Sequence, residues 1–437
     1  MTRTNPTDLR LLAFTLAAAT LSGACNAQSD PARPSETRGT HGASQPAANQ
    51  DGRPHGAPSQ PVEILDWQKL EAGSLADHVQ LTSPERFLKA GEQYFDPQGR
   101  WIIFQAVARP APGAQPAPHY SMYIAKLRRA DDGRITGIEE PQLISEPDSW
   151  NSCGYFHPRE PWRVIFGSTI RPPSGVASGG YQRGTNRYMW LMPRETEVVT
   201  LVVPQIYHDY RGPQISEEVL WTHEQVHSRP VFEHDGYDAE CAYSPDGRHI
   251  VYCSAEPDSF KPDLFVFDTQ TGRSTPLVTA EGYDGGPFFS PNGRRICYRS
   301  DRTGNDLLQL FVADLVFDSS GAITGITNEV QLTDNEHVNW APFWHPSGEF
   351  LVYATSEVGH HNYEVFSIEV PPAGVPAGKS ADLRKRRITH ATGFDGLPVF
   401  STDGQWMMWC SQRGPKIEGE ERPSSQVWAA RVINLAP

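Results

Sequence analysis

A short segment built around Pro-Asp-Gly, or a variant of it, recurs six times along the chain and constrains the fold more than any other feature. Its proline position is held by Pro97, Pro158, Pro245, Pro291, Pro346 and Thr402. Proline presets φ, Asp or Asn bonds the neighbouring backbone, and glycine accepts a positive φ, so each segment predicts a tight turn. Because short β-branched and aromatic runs flank the turns, the sequence predicts six β-hairpins.

Two further apolar runs complete each unit. The third run lies at residues 121–124, 188–191, 264–267, 310–312, 364–368 and 426–429. A fourth short run ends each unit, and 14 to 16 residues separate its middle residue from the next turn's proline position. Four strands in six units predict an all-β fold, a six-bladed β-propeller of four-stranded blades over residues 62–437. Since no fourth run follows residues 426–429, we predict that an N-terminal strand at residues 79–82 closes the last blade.

One copy of the repeat carries a family resemblance. Pro287-Phe288-Phe289-Ser290-Pro291-Asn292-Gly293 resembles the TolB-like propeller repeat, whose blades carry a Pro-x-Phe-Ser-Pro-Asp-Gly hairpin and end in a Leu-Thr run. The resemblance covers residues 78–432 and implies a periplasmic propeller that binds partners in the bacterial cell envelope. TolB itself adds an N-terminal α/β domain, which we expect to be lacking here. This difference weakens the case for a true Tol role, and a fold by itself does not establish function.

The N-terminal residues predict export. Residues 1–25 have the pattern of a signal peptide, in which an apolar run shorter than the roughly 20 residues of a membrane span follows Arg3 and Arg10. Leu21-Ser22-Gly23-Ala24-Cys25 resembles the lipoprotein cleavage box, although the family prefers Leu at the position of Ser22. We therefore predict lipidation of Cys25, with ordinary signal cleavage as the alternative. Residues 26–61 contain no Val, Ile, Leu, Met, Phe, Trp or Tyr, which predicts a disordered tether.

Charge narrows the choice of partners. The formal net charge of −14 disfavours nucleic acid and anionic lipid surfaces as partners. We therefore expect a periplasmic monomer that meets the membrane only through its lipid anchor and binds an envelope protein or peptide.

Oxygen-bearing side chains recur three residues before the first Pro of the hairpin motif. Five of the six repeats carry one, and only the first repeat departs, with Ala90; the five are Asn151, Asp238, Asp284, Asn339 and Asp395. In a propeller this position precedes the innermost strand, so we expect a ring of oxygens near one mouth of the channel. Such a ring could bind a basic peptide or a cation such as Ca²⁺. Alternatively, these residues bond backbone N–H groups in turns, as Asp and Asn commonly do.

The remaining motifs favour binding over catalysis. The chain has no Gly-x-Ser-x-Gly nucleophile elbow and no room for a hydrolase domain beside the propeller. Five histidines are candidate metal ligands, but we expect them to be solvated instead: His360, His361, His223, His227 and His234. No cofactor is expected. We therefore predict a non-enzymatic binding or scaffold protein. The alternative is a metal-dependent propeller enzyme, such as a sugar-acid lyase.

The predicted anchor is testable. Cys25→Ser should move the protein from the membrane fraction to the soluble envelope fraction, because acyl chains would supply its membrane affinity. Fractionation and intact-mass spectrometry measure both properties. A wild-type protein that is soluble and free of lipid would contradict the prediction.

Overall fold

The predicted turns are present, and each joins the innermost strand of a blade to the second strand. The computed structural model describes residues 66–174, 180–182, 187–189, 193–211, 222–257, 259, 261–376, 378–379 and 383–437. In the third turn, Gly247 has a φ of 76° and donates its N–H to the carbonyl of Ser244 at 2.8 Å. Asp246 Oδ1 accepts the N–H of Arg248 at 3.0 Å. Local contacts of the Ser-Pro-Asp-Gly sequence therefore fix this hairpin.

Six sheets form the blades, which confirms the predicted six-bladed all-β propeller. Strands are numbered in chain order, and each blade runs from its innermost strand outward. Blade 1 contains β2 (Phe87–Phe95), β3 (Trp101–Ala108), β4 (Ser121–Arg129) and β5 (Ile135–Ile138), with β6 (Gln142–Leu143) also paired to β4. Blade 2 contains β7 (Asn151–Phe156), β8 (Arg163–Ser168), β11 (Glu197–Val202) and β12 (Arg229–Pro230). Blade 3 contains β13 (Tyr237–Tyr243), β14 (His249–Ala255), β15 (Asp263–Asp268) and β16 (Arg273–Val278).

The next two blades repeat this order. Blade 4 contains β17 (Asp284–Phe289), β18 (Arg295–Ser300), β19 (Gln309–Phe317) and β20 (Ile323–Gln331). A short parallel strand, β24 (Gly378–Lys379), extends blade 4 beyond β20. Blade 5 contains β21 (Asn339–Trp344), β22 (Phe350–Thr355), β23 (Glu364–Glu369) and β25 (Lys385–Arg387). The described helices are all short: α1 (Trp67–Glu71), α2 (Pro204–Arg211) and α3 (His223–Val226).

Blade 6 joins the two ends of the described chain. It contains β26 (Asp395–Phe400), β27 (Trp406–Ser411), β28 (Gln426–Val432) and, as its fourth strand, β1 (Leu75–Gln80). β1 runs antiparallel to β28, with Leu75 opposite Val432 and Gln80 opposite Trp428. The predicted N-terminal closure is confirmed, but the strand begins earlier than residue 79. A bulge at Asp77, where φ is 53°, interrupts the apolar alternation and hides the start of the strand from pattern analysis.

The third strand of blade 2 differs from its prediction. It is β11, not residues 188–191. Arg187–Met189 instead form β10, which pairs with β9 (Gly180–Gln182) in a separate two-stranded hairpin. Both runs favour β structure, but β11 is the longer one and is buried from Val198 to Val202. Burial against β8 therefore decides between two segments of similar β propensity.

The second strands form the apolar interior. β14, β18, β22 and β27 are buried along their whole length. Burial on both faces explains why β14, β22 and β27 read as largely apolar runs instead of alternating ones. β18 differs, because it buries Arg295 and Arg299 beside Asp314 and Glu240. All five described cysteines are buried and none forms a disulfide, as expected for small apolar core residues.

A buried arginine ties the N-terminal segment to blade 6. The side chain of Arg413, which follows β27, is 0% exposed. Its Nη1 lies 2.8 Å from Glu71 Oε2, and its Nη2 lies 2.7 Å from Asp395 Oδ2. The ring centroids of Trp67 and Trp409 lie 4.4 and 4.8 Å from its Cζ. One cation thus links α1 to the start of β26 inside an indole cage.

Breaking this link should weaken the whole ring. Arg413→Met is expected to lower the free energy of unfolding by about 3–5 kcal/mol, because two carboxylates would stay buried without their partner. The matched control is Arg384→Met, which removes an ion pair to Glu369 from a surface where the arginine is 70% exposed. The control should unfold like the wild type in chemical denaturation. Equal losses in both variants would contradict the bracing role of Arg413.

Candidate functional site

The five predicted ring residues begin the innermost strands of blades 2 to 6, as expected. Four of them are the first residue of their strand and Asp238 is the second residue of β13. Their side chains, however, are buried, with exposed fractions of 0% for Asn151, Asp238, Asp284 and Asn339 and 1% for Asp395. We define the upper mouth of the channel as the side where these strands begin, and the lower mouth as the side of the Pro-Asp-Gly turns.

The two amides bond nearby backbone and polar side chains. Asn339 donates from Nδ2 to Gln309 Oε1 at 3.1 Å and to Asn335 Oδ1 at 2.9 Å. Asn151 donates from Nδ2 to the carbonyl of Tyr120 at 3.0 Å. The acceptors lie on neighbouring loops and third strands, so each amide holds the entry of its innermost strand in place.

The three carboxylates have different partners. Asp395 is bound by Arg413, Asp284 accepts the N–H of Ala280 at 3.0 Å, and Asp238 Oδ2 lies 3.2 Å from His234 Nδ1. Desolvation by burial raises the pKa of Asp238, and it raises the pKa of Asp284 to about 6. These carboxylates are turned into the blades rather than towards open solvent. Direct ligand binding by the five ring residues therefore stays a prediction.

A second ring, which the sequence analysis missed, lies two residues further along each innermost strand. Its members all have φ between 50° and 58°, and they are Glu92, Cys153, Glu240, Gly286, Ala341 and Leu397. A bulge interrupts the pairing of the innermost and second strands at this place in every blade. The six residues line one small central cavity of the channel. The bulge therefore re-aims one side chain per blade towards the axis.

Charged groups of this second ring are paired with each other or with close neighbours. Arg299 Nη2 donates to Glu240 Oε2 at 3.0 Å and to Tyr283 Oη at 2.9 Å. Cys153 Sγ donates to Glu92 Oε1 at 2.9 Å. Desolvation, with the nearby charge of Glu240 as a smaller cause, raises the pKa of Glu92. Burial therefore favours the neutral acid at Glu92.

An aromatic cluster divides the channel below this ring. The ring centroids of Phe288 and Phe343 are 5.0 Å apart, and those of Tyr94 and Tyr155 are 5.4 Å apart. Tyr94 also lies 5.7 Å from Phe288, so the four rings form one cluster across the axis. Below them, the lower mouth is an apolar funnel of 470 Å³ lined by the prolines and aromatic residues of the turns. The two mouths are therefore chemically distinct.

The upper mouth opens into a cavity of 570 Å³ between blades 5, 6 and 1, which we call the upper cavity. Its walls include Trp340, Phe394, Tyr363 and Tyr120, and its polar lining includes Lys89, Glu92, Gln105, His360, His361 and Arg422. The centroid of Phe394 lies 6.2 Å from that of Trp340 and 5.9 Å from that of Tyr363, so three rings form one continuous wall. Size, aromatic walls and a few polar groups are the usual features of a ligand site.

The upper cavity connects the predicted ring to binding. Trp340 and Phe394 each adjoin a ring residue, Asn339 and Asp395 respectively. The bonds of these ring residues therefore hold two wall residues of the cavity in place. Tyr120 and Arg422 lie in loops, and Gln105 lies in β3 just after the apolar run of the hairpin, so the repeat pattern could not have identified them.

Two kinds of feature, a metal-binding cluster and a membrane-spanning helix, were not found among the described residues. No three His, Cys, Asp or Glu side chains among them are grouped to hold a metal ion. None of the described helices is both long and apolar enough to cross a membrane.

Comparisons with known proteins found similarity in structure alone. No protein-family model matches the chain, and no curated protein matches its sequence. Similar solved structures include a TolB-type protein from Agrobacterium tumefaciens, at 15% identity and a TM-score of 0.44, with 82% of this chain and 98% of that chain covered. TolB from Acinetobacter baumannii is 15% identical with a TM-score of 0.45, and 77% of this chain and 64% of that one are covered. Oligogalacturonate lyase from Vibrio parahaemolyticus is 10% identical with a TM-score of 0.40, and the coverage is 82% and 93%.

Burial of Asp284 gives a testable pH dependence. Its folded pKa of about 6 exceeds the ordinary 3.8, so the unfolded chain releases this proton at lower pH than the folded chain. Wild-type stability should therefore fall relative to Asp284→Asn by about 1–2 kcal/mol between pH 5 and pH 8. Chemical denaturation of both proteins at the two pH values measures the change. If the difference in stability between the two proteins is the same at both pH values, the Asp284 carboxylate is not desolvated.

Proposed function

We propose that this protein is a non-enzymatic binding protein whose upper cavity receives a peptide or a protein segment with an acidic group. The observation that carries the proposal is the upper cavity itself, where an aromatic wall lies beside two cations that pair with no described carboxylate. The propeller fixes this wall on the rigid ends of its innermost strands. A preformed site of this kind loses little entropy when its ligand binds.

Two cations of the upper cavity have no charged partner among the described residues. Neither Lys89 nor Arg422 makes a hydrogen bond or ion pair with a described residue, and Lys89 Nζ lies 4.2 Å from the ring centroid of Tyr120. By contrast, Arg299, Arg302 and Arg413 all pair with carboxylates. Desolvation by the cavity walls lowers the pKa of Lys89, although its side chain still meets solvent inside the cavity. A carboxylate of the ligand would supply the missing partner.

Two buried polar atoms of the cavity favour a peptide as the ligand. Trp340 Nε1 and Gln105 Oε1 have no hydrogen-bond partner among the described residues. One is a donor and the other an acceptor, so a peptide bond would complement both once these two side chains turn towards the cavity. The aromatic wall would cover an apolar side chain of the same peptide. The acidic preference replaces the basic ligand that the ring of Asp and Asn had suggested.

The proposal includes a cellular localisation. The signal pattern and Cys25 support a periplasmic, lipid-anchored protein, and both lie outside the described residues. An envelope protein is then the partner within reach. The metal-dependent lyase remains the alternative function, without a described ligand set in the channel.

Peptide selection tests the proposal. Peptides selected from a random display library on the full-length protein should contain an acidic residue near an aromatic or aliphatic one. Trp340→Ala and Lys89→Met should each weaken their binding about tenfold or more, as expected for an aromatic wall and a charged hydrogen bond. Isothermal titration calorimetry measures the dissociation constants.

Two controls accompany the selection. Phe317→Ala removes a ring from the lower side of blade 4, and Lys261→Met removes a lysine that is 62% exposed on blade 3. Both should bind like the wild type. If the cavity variants also bind like the wild type, the upper cavity is not the binding site. If only Lys89→Met does so, the acidic preference is wrong and the site stands.

A further inference from the structure

A metal-binding spacing lies outside the channel, between β11 and β12. Residues 223–227 read His223-Glu224-Gln225-Val226-His227, which is the His-Glu-x-x-His pattern. In zinc hydrolases that pattern places two histidines on one side of a helix, with the glutamate between them. The sequence analysis had treated the two histidines as solvated loop residues. The spacing of four residues is the signal that would have separated them from the other histidines.

Local structure brings the two imidazoles together. α3 is a single helical turn whose start is fixed by Gln225, because its Oε1 accepts the N–H of Thr222 at 3.0 Å. The N–H of His227 donates to the carbonyl of His223 at 3.2 Å, so the helical spacing persists to His227. As a result, the ring centroids of His223 and His227 are 3.9 Å apart. Side chains four residues apart are neighbours on a helical turn.

A carboxylate from another blade orients one of these rings. Glu146, between β6 and β7, places Oε1 3.1 Å from Nδ1 of His227 and 3.3 Å from the N–H of Ser228. An acidic partner on Nδ1 leaves Nε2 of His227 as the ligating nitrogen. Metal-ligating histidines commonly have such a carboxylate on their other nitrogen, where it fixes the tautomer and ring orientation.

We propose that His223 and His227 bind a divalent transition-metal ion, with Glu146 as the positioning residue of His227. Imidazole pairs favour Zn²⁺, Ni²⁺, Co²⁺ and Cu²⁺ over Ca²⁺ and Mg²⁺, which take oxygen ligands. No third His, Cys, Asp or Glu joins the pair in the part of the chain that the structure describes. The described site therefore leaves coordination positions to water or to a bound partner. His223 is exposed and His227 is half-buried, so a metal ion can reach both from solvent.

Metal titration of the full-length, chelator-stripped protein tests the site. Calorimetry with Zn²⁺ and Ni²⁺ should show one binding event in the wild type that His223→Ala and His227→Ala each abolish. His208→Ala is the matched control, because it removes an exposed histidine from α2 and should leave the event unchanged. An event of equal affinity and stoichiometry in the double variant His223→Ala/His227→Ala would overturn the proposal. So would a wild-type protein that binds neither ion.

The role of Glu146 has a separate measurement. Glu146→Gln should weaken metal binding roughly tenfold or more, as loss of a carboxylate behind a ligating histidine does elsewhere. It should also shift the visible absorption of bound Co²⁺, which a change in stability alone would not do. Unchanged affinity and spectrum would overturn the positioning role. Thermal melts of the metal-free variants confirm that each remains folded.

Discussion

The pairing of β1 with β28 is the constraint on which the other features of the propeller depend. It joins residues more than 340 positions apart, as the bond from Thr82 Oγ1 to Gln426 Oε1 shows. Without β1, β28 would be an edge strand, and blade 6 would lose its outer cover. Arg413 adds a second link by binding Glu71 and Asp395 together. The ends of the fold are thus held by backbone pairing at the rim and by a buried cation near the channel.

Within the closed ring, the bulges of the innermost strands determine what the channel contains. Each bulge turns one residue towards the axis, and this residue is Glu in blades 1 and 3 but differs among the other four blades. Acidic and cationic groups therefore meet just above the aromatic cluster, while Glu92 of blade 1 and Leu397 of blade 6 also line the upper cavity. The repeated blades form the scaffold, and the residues that differ between blades give the channel and the upper cavity their chemistry.

The sequence predicted those features that local chemistry controls. Ser244-Pro245-Asp246-Gly247 defines a turn by its own bonds, so the hairpins and blade count could be identified from one chain. Residues 188–191 were wrongly predicted as the third strand of blade 2, because burial against β8, which is a long-range contact, selects β11 instead. The second ring could not be identified from the sequence, because its members (Glu, Cys, Gly, Ala and Leu) share no residue type. The predicted Asp and Asn residues do begin the innermost strands, but the sequence could not show that their side chains are buried.

The upper cavity could not be predicted from the sequence, because its lining consists of residues that only the closed ring brings together. Lys89 and Gln105 come from blade 1, Trp340 from blade 5, and Arg422 from the loop before β28. His223 and His227 are the opposite case, since their spacing is local and visible in the sequence.

Native-state hydrogen exchange of blade 6 tests the closure most directly. The N–H of Leu81 donates to Val427 and that of Ile433 donates to Ser74, so these two amides mark both ends of the β1–β28 pairing. If closure holds the ring together, both amides should exchange only through global unfolding, with the same free energy and denaturant dependence as amides of β27. Exchange through a smaller opening of lower free energy, with β27 still protected, would show that the propeller stands without its N-terminal strand.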